Sequence, residues 1–142
     1  MIAHARKISF LCVVSALFAL PLMVMAKGGI AGTYSSIKYN SESGDLSGYE
    51  IQIIPVVNGY KAILQLAEGE VTDVVVSDAA VDKDGVLSAS FVLRSGAGCK
   101  LRAKVMAGKL VGVLSFEKSG DVDLTMPRSI GYWDDQISKV KR

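Results

Sequence analysis

The chain has 142 residues, half of them hydrophobic, and a formal net charge of +2. This is the length of one domain. The 16 basic side chains are nearly balanced by 14 acidic ones and form no basic cluster, so the sequence lacks the positively charged surface of a nucleic-acid-binding protein. The chain has a single histidine, His4, and histidine is the side chain most often used as a catalytic base and as a metal ligand.

Residues 1–26 have the composition of a secretory signal peptide. Arg6 and Lys7 precede an apolar run over 8–25, and small or aliphatic residues stand three and one positions before a cleavage site after Ala26. The alternative is an uncleaved membrane anchor, since the apolar run is near the length of a bilayer span. We adopt cleavage, which predicts a periplasmic or secreted protein without a stable membrane span.

Cleavage changes the inventory of reactive side chains. It leaves 116 residues with 14 basic and 14 acidic groups, no histidine, and Cys99 as the one cysteine. An intramolecular disulfide is then impossible, although the destination is oxidising. Cys99 has the strand parity of Leu101 and Ala103, so we expect a buried small hydrophobe rather than a reactive or dimer-forming thiol.

The first expected strand contains Gly32-Thr33-Tyr34, and a loop rich in Ser, Gly, Asp and Asn follows at 40–48. Residues 49–69 then predict a β-hairpin, because Asn58-Gly59 separates two apolar runs and favours a turn with positive φ at both positions.

The register of this hairpin follows from its turn. With Val57 facing Tyr60, Ile54 falls opposite Ile63, and Gln52 falls opposite Gln65. One face is then apolar and the other is mixed.

The segments after this hairpin repeat the pattern of alternating apolar residues between turns. Turn-forming residues occur at 68–70, 82–85, 95–98, 107–109 and 118–121. The sequence therefore predicts an all-β fold of about eight antiparallel strands in an up-and-down meander that closes as a small barrel, with a two-sheet sandwich as the alternative. The barrel domain is expected over 27–129, and the helical spacing of apolar residues over 130–142 predicts a short C-terminal helix or tail.

The Gly32-Thr33-Tyr34 segment resembles the Gly-x-aromatic signature of the calycin group, the lipocalin-like and avidin-like barrels. In those families the signature lies at the closed end of the barrel, and Arg128 would be the arginine that packs over the aromatic ring. Tyr34 stands where tryptophan is usual. The resemblance implies a barrel that binds a small molecule.

The residues of the mature chain predict no enzyme, no catalytic residues, no metal and no cofactor. Without histidine there is no imidazole base, and the paired carboxylates lie in or beside turns, where solvent gives no reason for raised pKa values. The bulky inward side chains favour a packed interior with at most a shallow pocket at one mouth.

Two classes of binding function remain. The first is binding of a small apolar ligand, with mouth or lining groups Tyr34, Tyr49, Gln52, Tyr60 and Gln65. The alternative is a protein-interaction or inhibitor-type module that contacts an envelope protein, or a second copy of itself, through a surface loop or an outer aliphatic patch. The residues of that patch are Ile54, Ile63, Val111, Val113 and Trp133.

Overall fold

The computed structural model of the chain describes residues 29–132; the expected signal segment and the tail from residue 133 onward lie outside the described residues. The strands are β1 (Gly32–Ser35), β2 (Lys38–Tyr39), β3 (Leu46–Val56), β4 (Gly59–Val81), β5 (Val86–Val92), β6 (Gly98–Met106), β7 (Lys109–Phe116) and β8 (Gly120–Ser129). Between residues 29 and 132, no helix has both the length and the apolar character that crossing a bilayer requires.

All strands pair antiparallel in one sheet of order β1-β8-β7-β6-β5-β4-β3-β2. Because β1 also pairs with β3, the sheet closes on itself. This confirms the predicted all-β meander closing as a barrel, rather than the two-sheet sandwich.

The long strand β4 reverses direction at Gly69. A straight strand would hold Lys61 and Asp78 about 56 Å apart, at about 3.3 Å per residue. Lys61 Nζ instead lies 2.7 Å from Asp78 Oδ1, and Thr72 Oγ1 donates a hydrogen bond to Leu66 O at 3.5 Å. Gly69 has a φ of 81°, which a residue with a side chain rarely adopts. The predicted turn at 68–70 is therefore present, and residues 59–69 and 70–81 act as two neighbouring strands.

Alternation along each strand fills the middle of the barrel. Successive side chains of a strand point to opposite faces, so every second residue faces inward. The largest fully buried side chains are Tyr34, Ile51, Ile53, Leu64, Leu87, Leu101, Leu110, Leu114, Met126 and Cys99. The predicted packed interior is present, and Cys99 is buried as expected.

The register of the β3–β4 hairpin differs from the prediction by two residues. Val56 pairs with Gly59, so the turn is Val57-Asn58 rather than Asn58-Gly59. The only non-glycine residue with positive φ among the described residues is Ala107, so Asn58 does not adopt the expected conformation. Because a shift of two residues keeps every side chain on its own face, the apolar face is unchanged.

The seam between β1 and β8 closes the barrel through a short ladder. Only Thr33↔Ser129 and Tyr34↔Arg128 pair across it. The Arg128 guanidinium lies 5.3 Å from the centre of the Tyr34 ring, and its Nη2 donates to Tyr34 Oη at 2.8 Å and to the Gly29 carbonyl. Tyr34 Oη in turn donates to Ile30 O at 2.9 Å. Arg128, near the end of β8, thus packs over Tyr34 as predicted.

Candidate functional site

The two ends of the barrel each contain a cavity, and the larger one is the candidate site. It has a volume of about 460 Å³ and is called here the open mouth. Its lining comes from strand ends and turns: Tyr49, Leu66, Glu68, Thr72, Asp73, Leu93, Ser95, Ala97, Phe116, Lys118, Ser119 and Val122. The cavity at the opposite end has about 370 Å³ and lies beside Gly29 and Ile30, which Arg128 and Tyr34 hold in place.

The open mouth lies beside the part of the barrel where β4 and β5 no longer pair. Their ladder covers only Ala79–Val81 of β4. Nearer the mouth, Ser77 Oγ bonds to Ser90 O at 2.6 Å, a side-chain contact in place of a ladder bond. Asp73 and Leu93, which lie on the two sides of this seam, both line the cavity. The interior is therefore filled at mid-barrel and accessible at this end.

Two aromatic rings form part of the cavity wall. The centroids of Tyr49 and Phe116 are 6.3 Å apart, with ring planes tilted by 38°. Ser36, which lies between β1 and β2, positions Tyr49. Its backbone N–H donates to Tyr49 O at 2.8 Å, and the Tyr49 backbone N–H donates to Ser36 Oγ at 3.1 Å. Gly48 permits this approach, since a Cβ there would lie 2.6 Å from Ser36 O.

Two carboxylates fix the loops of the rim. Asp73 Oδ1 accepts the Arg94 backbone N–H at 2.8 Å, which ties residues 93–97 to β4. Glu117 Oε2 accepts the Gly98 backbone N–H at 2.9 Å, which ties the start of β6 to the turn before β8. A carboxylate that accepts a backbone N–H makes a charge-assisted hydrogen bond, so both loops are held at defined positions.

Glu68 and Lys118 are the other charged groups of the cavity lining. Within residues 29–132 the only ion pair joins Lys61 and Asp78, so Glu68 and Lys118 do not neutralise each other. Glu68 has the strand parity of Leu64 and Leu66 and is an exposed residue of the cavity rim. Burial raises the pKa of Tyr49, and the nearby Glu68 carboxylate raises that pKa further.

Cys99 is 1% exposed and offers no reactive thiol. Burial raises its pKa to about 11 from the ordinary value of 9.0. The thiolate is the nucleophilic form, so Cys99 remains neutral and inert near neutral pH. Its role is to pack in the core.

The five ligand-binding residues predicted from the sequence do not come together. Tyr49 lines the open mouth, whereas Tyr60 lines the cavity at the opposite end. Tyr34 is fully buried beneath Arg128. Gln52 and Gln65 point to the outer face, since their neighbours in β3 and β4 are the inward residues of the core.

The outer aliphatic residues form no continuous patch. Ile54 pairs with Lys61, and Ile63 pairs with Gln52, so the expected pairing of the two isoleucines is wrong because of the shifted turn. Val111 and Val113 lie on β7, which β8 and β1 separate from β3. They are partly buried, and Trp133 lies outside the described residues.

The first residues of the tail contact this outer face at another point. The Tyr132 backbone N–H donates to Glu50 Oε2 at 2.7 Å, and Gly131 is buried. The chain therefore passes over β3 after leaving β8.

The sequence interpretation missed Glu68, Asp73 and Lys118 as lining groups of the mouth. The available signal was strand parity, because Glu68 continues the even-numbered inward row beyond Leu66, although it lies beside a turn. Loop residues such as Lys118 carry no comparable signal.

Chemically, the open mouth combines apolar and aromatic surface with a few polar groups, an arrangement suited to holding a small amphiphilic molecule. Within the described part of the chain, no three His, Cys, Asp or Glu side chains are grouped in a way that could hold a metal ion. This chain matches no protein-family model, no curated protein and no solved structure.

Proposed function

We propose that this protein is an exported, non-enzymatic binding protein that holds a small, largely apolar molecule at the open mouth, in the periplasm or outside the cell. The observation that carries the proposal is the contrast between a filled mid-barrel and the cavity of about 460 Å³ above it. Pockets for small ligands commonly have volumes of about 300–1,000 Å³.

The composition of the cavity wall supports this proposal. Leu66, Leu93 and Val122 provide aliphatic surface, and Tyr49 and Phe116 provide ring faces. Ser95, Thr72 and Ser119 add hydroxyl groups. A ligand with an apolar body and a small polar part would bury its body against the strands and leave the polar part at the rim.

The opposite end of the barrel supports a calycin-like relationship. Tyr34, two residues after Gly32, packs under Arg128, as the resemblance to the lipocalin-like and avidin-like barrels implies. A Cβ on Gly32 would lie 3.1 Å from Arg128 Nη1, so glycine makes room for the guanidinium. The resemblance places this signature at the closed end of the barrel, and the larger cavity here is at the other end.

A fluorescence titration of the mature protein with the neutral apolar dye N-phenyl-1-naphthylamine tests the proposal. We expect saturable binding with one dye per chain. Tyr49→Leu is expected to weaken the binding by about fivefold to tenfold, because it removes an aromatic wall. The matched control is Tyr60→Leu, the same substitution at the opposite end, which is expected to leave the dissociation constant within about twofold of wild type.

Two results would contradict the proposal. One is the absence of saturable binding up to the solubility limit of the dye. The other is a loss of binding in Tyr60→Leu while Tyr49→Leu binds normally, which would place the ligand in the cavity opposite the open mouth. Circular dichroism of each variant shows whether the barrel is intact, so a folding defect is not mistaken for a binding defect.

A further inference from the structure

We propose that the open mouth selects a cationic amphiphile, a molecule with an ammonium head group and a hydrocarbon or aromatic body. This inference rests on the proposed function and goes beyond it by naming the class of ligand. The carrying observation is the juxtaposition of Glu68, Asp73 and two aromatic rings around one apolar cavity.

The charges of the lining favour a cation. The lining contains two carboxylates, Glu68 and Asp73, against one ammonium group, that of Lys118, so acidic groups are in excess. Asp73 accepts the Arg94 backbone N–H through Oδ1. Glu68 has no hydrogen bond or ion pair with any of residues 29–132, so its carboxylate is available to a ligand.

The aromatic rings favour the same charge. The face of an aromatic ring attracts an ammonium group within about 6 Å of its centre, and quaternary ammonium ligands are commonly recognised by groups of such rings. The ring centroids of Tyr49 and Phe116 are 6.3 Å apart, and both rings line the same cavity. Glu68 lines the same cavity as both rings, and its carboxylate raises the pKa of Tyr49. The carboxylate and the rings therefore act on the same region of the cavity.

The apolar part of the cavity defines the other half of the ligand. Leu66 and Phe116 are inward residues of their strands, and Leu93 closes the side at the β4–β5 seam. A hydrocarbon body would lie against these side chains while the ammonium group remains among the carboxylates at the rim. A fully polar cation would lose the apolar contacts, and an anionic amphiphile would meet two like charges.

Calorimetric or NMR titration with three octyl amphiphiles below their micelle concentrations tests the inference. The probes are octyltrimethylammonium, neutral octyl glucoside and octyl sulfate, which share one hydrocarbon chain and differ in head group. We expect octyltrimethylammonium to bind at least about fivefold more tightly than octyl glucoside, with octyl sulfate the weakest.

The Glu68→Gln variant separates charge from shape. It keeps the size of the side chain and removes its charge, so the preference for octyltrimethylammonium should fall below about twofold while octyl glucoside binds as before. The matched control is Asp84→Asn, which removes one negative charge at the opposite end and should leave the preference unchanged.

The outcomes distinguish this inference from the proposed function. Equal binding of the cationic and neutral probes, a preference for octyl sulfate, or a preference that survives in Glu68→Gln would overturn the selection of cations and leave binding at the mouth in place. If none of the three probes binds and the neutral dye does not bind either, the proposed function fails, and the inference fails with it.

Discussion

Replacing Gly112 with alanine should destabilise the barrel strongly. Gly112 is an inward position of β7 that pairs with Ala103 of β6. An added Cβ would lie 2.6 Å from Ala103 Cβ, and it would be closer still to Arg102 O and Ala103 Cα. Real Cβ atoms essentially never come within 3.0 Å of such neighbours, so the two strands would have to separate.

The size of the effect follows from this geometry. A separation of more than about 0.4 Å lengthens the adjacent ladder bonds, whose N···O distance is most often about 2.9–3.0 Å, beyond their usual range of about 2.7–3.2 Å. A weakened hydrogen bond costs about 1 kcal/mol, and overpacking of a well-packed core costs about 1–3 kcal/mol. We expect a loss of about 2–4 kcal/mol in the free energy of unfolding, and a fall of at least about 10 °C in Tm.

Urea and thermal unfolding followed by circular dichroism measure this loss. The matched control is Gly29→Ala, since nothing lies within 4 Å of a Cβ at Gly29 and its φ is not positive. Its unfolding free energy should stay within about 0.5 kcal/mol of wild type. Adding Ala103→Gly to Gly112→Ala should restore only part of the stability, because Arg102 O remains in the way. A Gly112→Ala protein as stable as wild type would refute the close approach of β6 and β7.

Three further predictions concern single side chains. Arg128→Lys should lower the unfolding free energy by about 1–2 kcal/mol, because lysine cannot keep both hydrogen bonds and the ring contact; in a double-mutant cycle with Tyr34→Phe, additive losses would contradict the coupling. Ala107 has a φ of 48° in the turn before β7, so Ala107→Asn should raise the unfolding free energy by about 0.5–1 kcal/mol, and an unchanged urea midpoint would count against this strain. The Cys99 thiol has a pKa of about 11 in the folded protein and 9.0 ordinarily, so the folded state keeps the thiol proton up to a higher pH than the unfolded state does. Stability should therefore be unaffected below pH 9 and fall between pH 9 and 11, by at most about 3 kcal/mol, and this slope should be absent in Cys99→Ala.

The fold was predictable because its signal is local. Alternation from Lys100 to Met106 and similar runs elsewhere determine which side chains face inward, and glycine-containing turns separate the strands. The register of the β3–β4 hairpin was not predictable from the same signal. Moving the turn from Asn58-Gly59 to Val57-Asn58 keeps every side chain on its face, so the hydrophobic pattern does not distinguish the two registers.

The candidate site was predictable only in part. Tyr49 was among the predicted mouth or lining residues, and it does line the open mouth. Glu68 was interpreted as a solvated turn carboxylate. Its position beside Gly69 predicts a turn, but it does not indicate that a cavity lies next to that turn. The length of the ladder between β4 and β5, which ends at Ala79, is a property of the folded barrel that residue alternation does not encode.

The adjacency of the first and last strands has a consequence for folding. The other strand pairs join segments that lie close together in the sequence, whereas Tyr34 and Arg128 meet across 94 positions of the chain. Bringing such distant segments together carries the largest loop-closure entropy, so ring closure should be the slow step of folding. A circular permutant that joins the two ends and is cut between Ala107 and Gly108 would make this contact local and should fold faster.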